Sequence, residues 1–316
     1  MMINLLLPPA LITALEGVFA LLITASLTLF VLGKRYPQKN WLELKLRIRT
    51  WWWIVACFSL TLLGNMPIAL VVLGLVSFLA LKEYLTLCST RTADHVVLFW
   101  AYLCIPLQYY WLGIHWYGMF IIFIPVYVFL FVPMRMVLVG ETQGFLKAAA
   151  SLQWGLMICV FCLSHMGAVL ALPLLTGIGK AEHGPMLLFY LVALTQLNDV
   201  AQYLWGKSLG KHKVSPKVSP NKTLEGFLGG ALTTCLLGWL LGPLLTPFSP
   251  LHAALAGLLI GVMGFIGDIV ISAVKRDIGV KDSGRLLPGH GGILDRLDSL
   301  TYTAPLFFHY THYLYY

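Results

Sequence analysis

Apolar residues run along this chain in unbroken stretches, without the two-residue alternation that a membrane β-barrel would show. The runs cover residues 8–32, 51–64, 67–81, 93–111, 116–133, 151–172, 186–205, 224–247, 251–273 and 299–316. A helix needs about 20 apolar residues to cross a bilayer, with about 17 as a working minimum. The runs at 51–64 and 67–81 fall short and are joined by a turn signal, Gly64-Asn65-Met66-Pro67. They read either as two short helices or as one broken re-entrant hairpin. The expected count is therefore nine or ten spans.

Composition agrees with this pattern. Of 316 residues, 59% are hydrophobic and only 11% charged, against about 25% charged in soluble domains. Mean hydropathy is +0.83. The fold class is an all-α polytopic membrane protein with a polar cleft facing the cytoplasm. The first run, Leu5 to Leu32, is too long for the core of a cleaved signal and lacks a basic stretch before it, so it reads as a span. We expect one structural domain in two regions: membrane helices over 1–185, and a catalytic region over 186–316 with polar loops at 206–222 and 274–298. Cys159 and Cys162 form a CxxC inside an apolar run, which points to small packing residues rather than redox chemistry.

The net charge of +8 gains meaning from its placement. With the N-terminus outside, 20 of the 21 lysines and arginines fall in inner loops and Lys180 alone lies outside. The polar loops then face the cytoplasm and anionic headgroups.

Candidate chemistry is concentrated in the second half. Asp199, with Asn198, Gln202 and Tyr203, interrupts one apolar run, and Asp268 interrupts another. A carboxylate at that depth is costly unless paired or metal-bound, which makes it a functional candidate; a structural pair with a lysine of a neighbouring helix is the alternative. Glu225 opens a span, where negative charge suits the helix N-terminus. Lys281 to Ser299 reads KDSGRLLPGHGGILDRLDS, with three acids, three bases, one histidine and four glycines in nineteen residues. Asp295 and Asp298 share a face if this is helical. Gly289, Gly291 and Gly292 would let backbone N–H groups approach an anion. Grouped carboxylates suit Mg²⁺, which binds one or two of them together with substrate phosphates. Lys275, Arg276 and Lys281 stand beside Asp268, Asp277 and Asp282, the mixture of acids and bases that phosphoryl or nucleotidyl transfer requires. Gly206 to Gly226 carries five lysines and two Ser-Pro steps, and reads as a loop able to close over a polyphosphate. His309 and His312 read as an interfacial aromatic anchor.

Together, KRDIGVKDSGRLLPGHGGILDRLDS (275–299), the preceding Gly267-Asp268, and NDVAQYLWGKSLGKHKVSPKVSPNKTLEGFLGG (198–230) resemble the phosphatidate cytidylyltransferase (CDP-diglyceride synthetase) family. The resemblance spans about residues 190–316. It implies transfer of a cytidylyl group from CTP to phosphatidic acid, at a two-metal centre with Mg²⁺ and a second cation that is Mg²⁺ or K⁺. Carried over by motif, Asp268, Asp295 and Asp298 would form the metal shell. Lys275, Arg276, Lys281 and His290, with Asp282 and Arg296, would act on phosphates and charge. Asn198, Asp199, Lys211, Lys217, Ser219, Lys222, Gly291 and Gly292 would line the substrate site. The resemblance also implies a bacterial inner-membrane location and a homodimer. Two departures stand out. Ile271-Ser272 replaces a common Glu-Ser pair, and Gln202 sits where many members have a small or aromatic residue. Both point to an altered site wall, as in a paralogue that uses another lipid phosphate.

The physics fits this expectation. An acceptor phosphate is already an anion, so the obstacle is repulsion between polyanions, which cations relieve during in-line attack. A cation-coupled transporter using Asp199 and Asp268 is a rival reading, though the chain shows no internal repeat. A non-catalytic scaffold is another. The Asp-Gly-x-x-Ala-Arg run of the CDP-alcohol phosphotransferases is absent.

Overall fold

Every apolar run becomes a helix in the computed structural model, which describes residues 8–88, 95–178 and 183–316. The helices are α1 (Pro9–Arg35), α2 (Leu42–Leu63), α3 (Met66–Leu87), α4 (His95–Gly113), α5 (Tyr117–Val137), α6 (Phe145–Thr176), α7 (His183–Leu209), α8 (Leu224–Leu245), α9 (Pro250–Asp277) and α10 (Leu294–Tyr315). Eight of these are long and apolar enough to cross a membrane. The two that fall below that measure, α7 and α10, carry Asp199, Asp295 and Asp298. Arg91 and Lys180, used above for orientation, lie outside the described residues.

The short pair resolves into two complete helices of 22 residues each, not a re-entrant hairpin. At 1.5 Å per residue each is about 33 Å long, enough to span. Hydropathy alone clips them because α2 begins with the polar LELKLRIR and α3 ends in LKEYLTL. The turn signal acts as expected: the Asn65 side chain accepts from Ile68 N at 3.0 Å, and Pro67 occupies the first turn of α3.

α6 is the central pillar, with 78% of its most apolar window buried, whereas α1 is peripheral at 17%. α5 and α6 each contain a widened π turn, Phe123–Val128 and Met157–Cys162. The first includes Pro125, which cannot donate to the helix ladder. Cys159 is buried, and both it and Cys162 are free thiols in the α6 turn, consistent with packing. Buried polar side chains close the helix contacts: Tyr190 Oη donates to Ala253 O at 2.9 Å, and Gln108 Nε2 donates to Phe120 O at 3.0 Å. His309 and His312 join a ring cluster with His165, Phe308 and Tyr117.

The segment expected to be an open loop is more ordered than that. α7 continues to Leu209, and an antiparallel hairpin follows, β1 (Lys213–Ser215) and β2 (Ser219–Thr223), pairing Lys213 with Thr223 and Ser215 with Ser219. Glu225 fastens its base. The carboxylate accepts from Lys211 N at 3.0 Å, His212 N at 3.2 Å and His212 Nδ1 at 2.5 Å. Its role is thus to tie the hairpin to the start of α8.

Candidate active site

α7, α9 and α10 cross closely where their polar residues meet. Glycine permits this: a Cβ on Gly267 would lie 2.6 Å from Asp298 O and 3.3 Å from Ser299 Cα. Asp199 accepts the Ser299 hydroxyl at 3.1 Å on one oxygen and 3.3 Å on the other. Asp298, 8% exposed, interacts electrostatically with both Asp268 and Asp199. The sequence separates these three acids by up to 99 positions, and the fold joins them in one cluster.

Cations sit against the cluster. Lys222 Nζ, from the end of β2, lies 2.7 Å from Asp268 Oδ2 and donates to Gln202 Oε1 at 2.8 Å. The other Asp268 oxygen accepts from Ser272 Oγ at 3.2 Å. Gln202 thus touches the site through Lys222. Ile271 does not: it is 1% exposed in the apolar core and forms no part of a cleft wall. Asn198 is fully buried, bonded to Gly261 O at 3.2 Å and Thr234 Oγ1 at 3.1 Å, so it joins three helices instead of facing a substrate.

Asp295 points away from Asp298 despite sharing α10. Its Oδ1 accepts from Lys275 Nζ at 2.6 Å, and its Oδ2 accepts from Ser283 N and Gly292 N, each at 2.9 Å. Both partners of the Lys275–Asp295 pair are largely buried, so removing either leaves an unmatched charge that costs about 3–5 kcal/mol. The Gly292 N–H, expected to meet a phosphate, is already donated to this carboxylate. Gly291, at φ +84°, allows the tight turn in which Leu287 N bonds Gly291 O at 3.0 Å.

The remaining expected residues ring the polar end. Arg276 donates from Nε to Val218 O at 3.2 Å and from a terminal nitrogen to Val280 O at 2.9 Å, joining hairpin to loop. Arg296 Nε donates to His290 O at 3.2 Å. His290 meets Trp51 edge-on at 5.9 Å, and desolvation together with the charges of Arg296 and Arg47 pushes its pKa below the usual histidine value. Lys211, Lys217, Lys281 and Asp282 are exposed, and Ser219 is half-buried. Sequence reasoning missed Ser299, Ser283 and Glu83. The first two are ordinary polar residues in a charged stretch; Glu83 left a signal, an acid at the end of an apolar run.

Among the described residues, no three or more His, Cys, Asp or Glu side chains are grouped so as to hold a metal ion by themselves. The donor set is nonetheless all-oxygen and anionic, as Mg²⁺ prefers, and Mg²⁺ commonly arrives with substrate phosphates and keeps only one or two carboxylates.

Fold and site define an integral membrane protein of packed helices, with a charged crossing of acids and lysines among its C-terminal helices. Comparison gives the family. Residues 45–314 match the cytidylyltransferase family, and the chain belongs to it; it is a nucleotidyltransferase enzyme. It is 50% identical over 300 residues, 95% of this chain and 98% of the other, to the uncharacterized protein YnbB of Escherichia coli (strain K12). It is 49% identical over 112 residues to the phosphatidate cytidylyltransferase of Synechocystis sp. (strain ATCC 27184 / PCC 6803 / Kazusa), covering 35% of this chain and 38% of that one. To the phosphatidate cytidylyltransferase of Staphylococcus aureus (strain COL) it is 32% identical over 161 residues, covering 49% and 59%.

Proposed function

We propose that the protein transfers the cytidylyl group of CTP to phosphatidic acid, giving CDP-diacylglycerol and pyrophosphate, at the cytoplasmic face of a bacterial inner membrane. The observation that carries this reading is the convergence of Asp199, Asp268 and Asp298 beside Lys222, in a family of cytidylyltransferases. Asp268 and Asp298 would hold Mg²⁺, with Asp199 alongside and Asp295 adjoining through Lys275. The ion would supply charge neutralisation between the nucleotide phosphates and the incoming lipid phosphate.

The chain's own groups do the rest. Lys222, on the hairpin, binds phosphate next to the acids and is held there by Asp268 and Gln202. Lys275, positioned by Asp295, and the exposed Lys281, Lys211 and Lys217 stabilise the negative charge that develops on pyrophosphate. Arg276 holds the hairpin against the α9–α10 loop, so that cations from both sides face one substrate. The lipid reaches the cleft from the bilayer and CTP from the aqueous side.

A lipid phosphate other than phosphatidic acid is the second reading, favoured by the Gln202–Lys222 contact at the site. The test is incorporation of radiolabelled CTP into lipid by purified protein with phosphatidic acid and Mg²⁺. Wild type should label lipid, and Asp268→Asn should lose at least about a hundredfold. No label with phosphatidic acid, but label with another lipid phosphate, would establish the second reading. No label with any lipid phosphate would overturn both.

A further inference from the structure

The loop joining α9 to α10 is held by a residue from the other half of the chain. Glu83, 8% exposed near the C-terminal end of α3, accepts the Ser283 hydroxyl in a short contact. The same carboxylate accepts from Ile293 N at 2.9 Å and Leu294 N at 3.1 Å. α10 has no side-chain cap of its own at Ile293. Its first N–H groups have no carbonyl within the helix to reach, and Glu83 supplies one acceptor for each, at the end of the helix that favours negative charge. The loop is shaped around this carboxylate, since a Cβ on Gly284 would lie 2.7 Å from Glu83 Oε2.

Ser283 connects this contact to the site. Its hydroxyl goes to Glu83 and its N–H to Asp295, which in turn fixes Lys275. The loop is thus strung between two carboxylates, one local and one some 200 residues distant. A second contact from the N-terminal half reinforces it: Thr50 Oγ1 donates to Pro288 O at 2.8 Å.

From this geometry we infer that Glu83 is a positioning residue for the transfer reaction: through Ser283 and the first turn of α10 it sets the places of Asp295, Lys275 and Asp298. The kinetic part of this inference rests on the proposed transfer; the structural part does not.

Glu83→Gln keeps the shape but turns an amide N–H₂ toward backbone N–H donors. We expect its kcat to fall at least about tenfold, by a larger factor than the KM for CTP rises. Amide exchange over 283–294 should speed up while α8 and the hairpin keep wild-type rates. Ser283→Ala should show the same pattern, and the double variant should be no worse than Glu83→Gln alone, because the Ser283–Glu83 contact is disrupted in either single variant. Lys82→Ala, one residue away and exposed, serves as the control with wild-type values. Wild-type kcat and exchange in Glu83→Gln would overturn the inference. So would faster exchange across the whole bundle, which would mark a general loss of stability. If Glu83→Gln does not fold, Ser283→Ala decides by the same two readings. If the wild type transfers no label to lipid, the transfer reading fails, and exchange over 283–294 still decides whether Glu83 sets the loop.

Discussion

His290 is placed among cations and beside Trp51, and both desolvation and Arg296 oppose its protonation. Below about pH 6.5, the ordinary histidine value, the unfolded chain takes up a proton at this position that the folded chain resists. Protons bound to the unfolded state then exceed those bound to the native state, so stability contributed here is intact above about pH 6.5 and is lost as pH falls toward the lower folded value. Thermal midpoints in detergent between about pH 5 and 7.5 should drop more steeply in wild type than in His290→Gln. Equal slopes would show that the imidazole titrates freely. The Lys275–Asp295 pair illustrates the same point about burial: two charges held out of water are safe together and costly apart.

At the scale of elements, the hairpin is the part most dependent on a few contacts. Two short strands in water are marginally stable on their own. This one is tied at its base by Glu225, at its tip by Arg276 on Val218 O, and at its end by Lys222 on Asp268. Glu225→Ala should therefore free the base without melting α8, whose start is separately capped by Thr223 Oγ1 on Gly226 N at 3.1 Å. The expected outcome is faster amide exchange over 211–223 and weaker CTP binding by a few-fold, with α8 exchange unchanged. Slower exchange, or none of these changes, would mean that Arg276 and Lys222 suffice.

For the whole molecule, the described contacts gather at one end of the bundle the basic start of α2, the end of α3, the hairpin and the α9–α10 loop. From the lysine and arginine bias we expect that end to face the cytoplasm. In a cysteine-free background, a cysteine at Lys217 or Lys281 should react with a membrane-impermeant thiol reagent only from the cytoplasmic side. One at Lys180 should react only from the other side. The reverse pattern would invert the orientation and, with it, the side from which CTP enters.

By itself the sequence determined the helical membrane class, the apolar runs that become helices to within a few residues at most ends, and the stretches in which charge is concentrated. These are properties of composition and period, because transfer of an apolar run into lipid depends on the run and hardly on what lies beside it. It misjudged α2 and α3, whose polar ends fall outside a hydropathy window but inside the helix. It also took Gly206–Gly226 for a loop, since strand pairing over so few residues leaves little signal against two Ser-Pro steps. Which acids face one another was decided only by the tertiary structure. Asp295 and Asp298 sit three residues apart, yet one turns to Lys275 and the loop while the other turns to Asp199 and Asp268. Glu83 meets Ser283 only because α3 packs beside α10. Such pairings follow from how helices dock through small residues like Gly267, and docking is a property of surfaces that the order of residues along one helix does not contain.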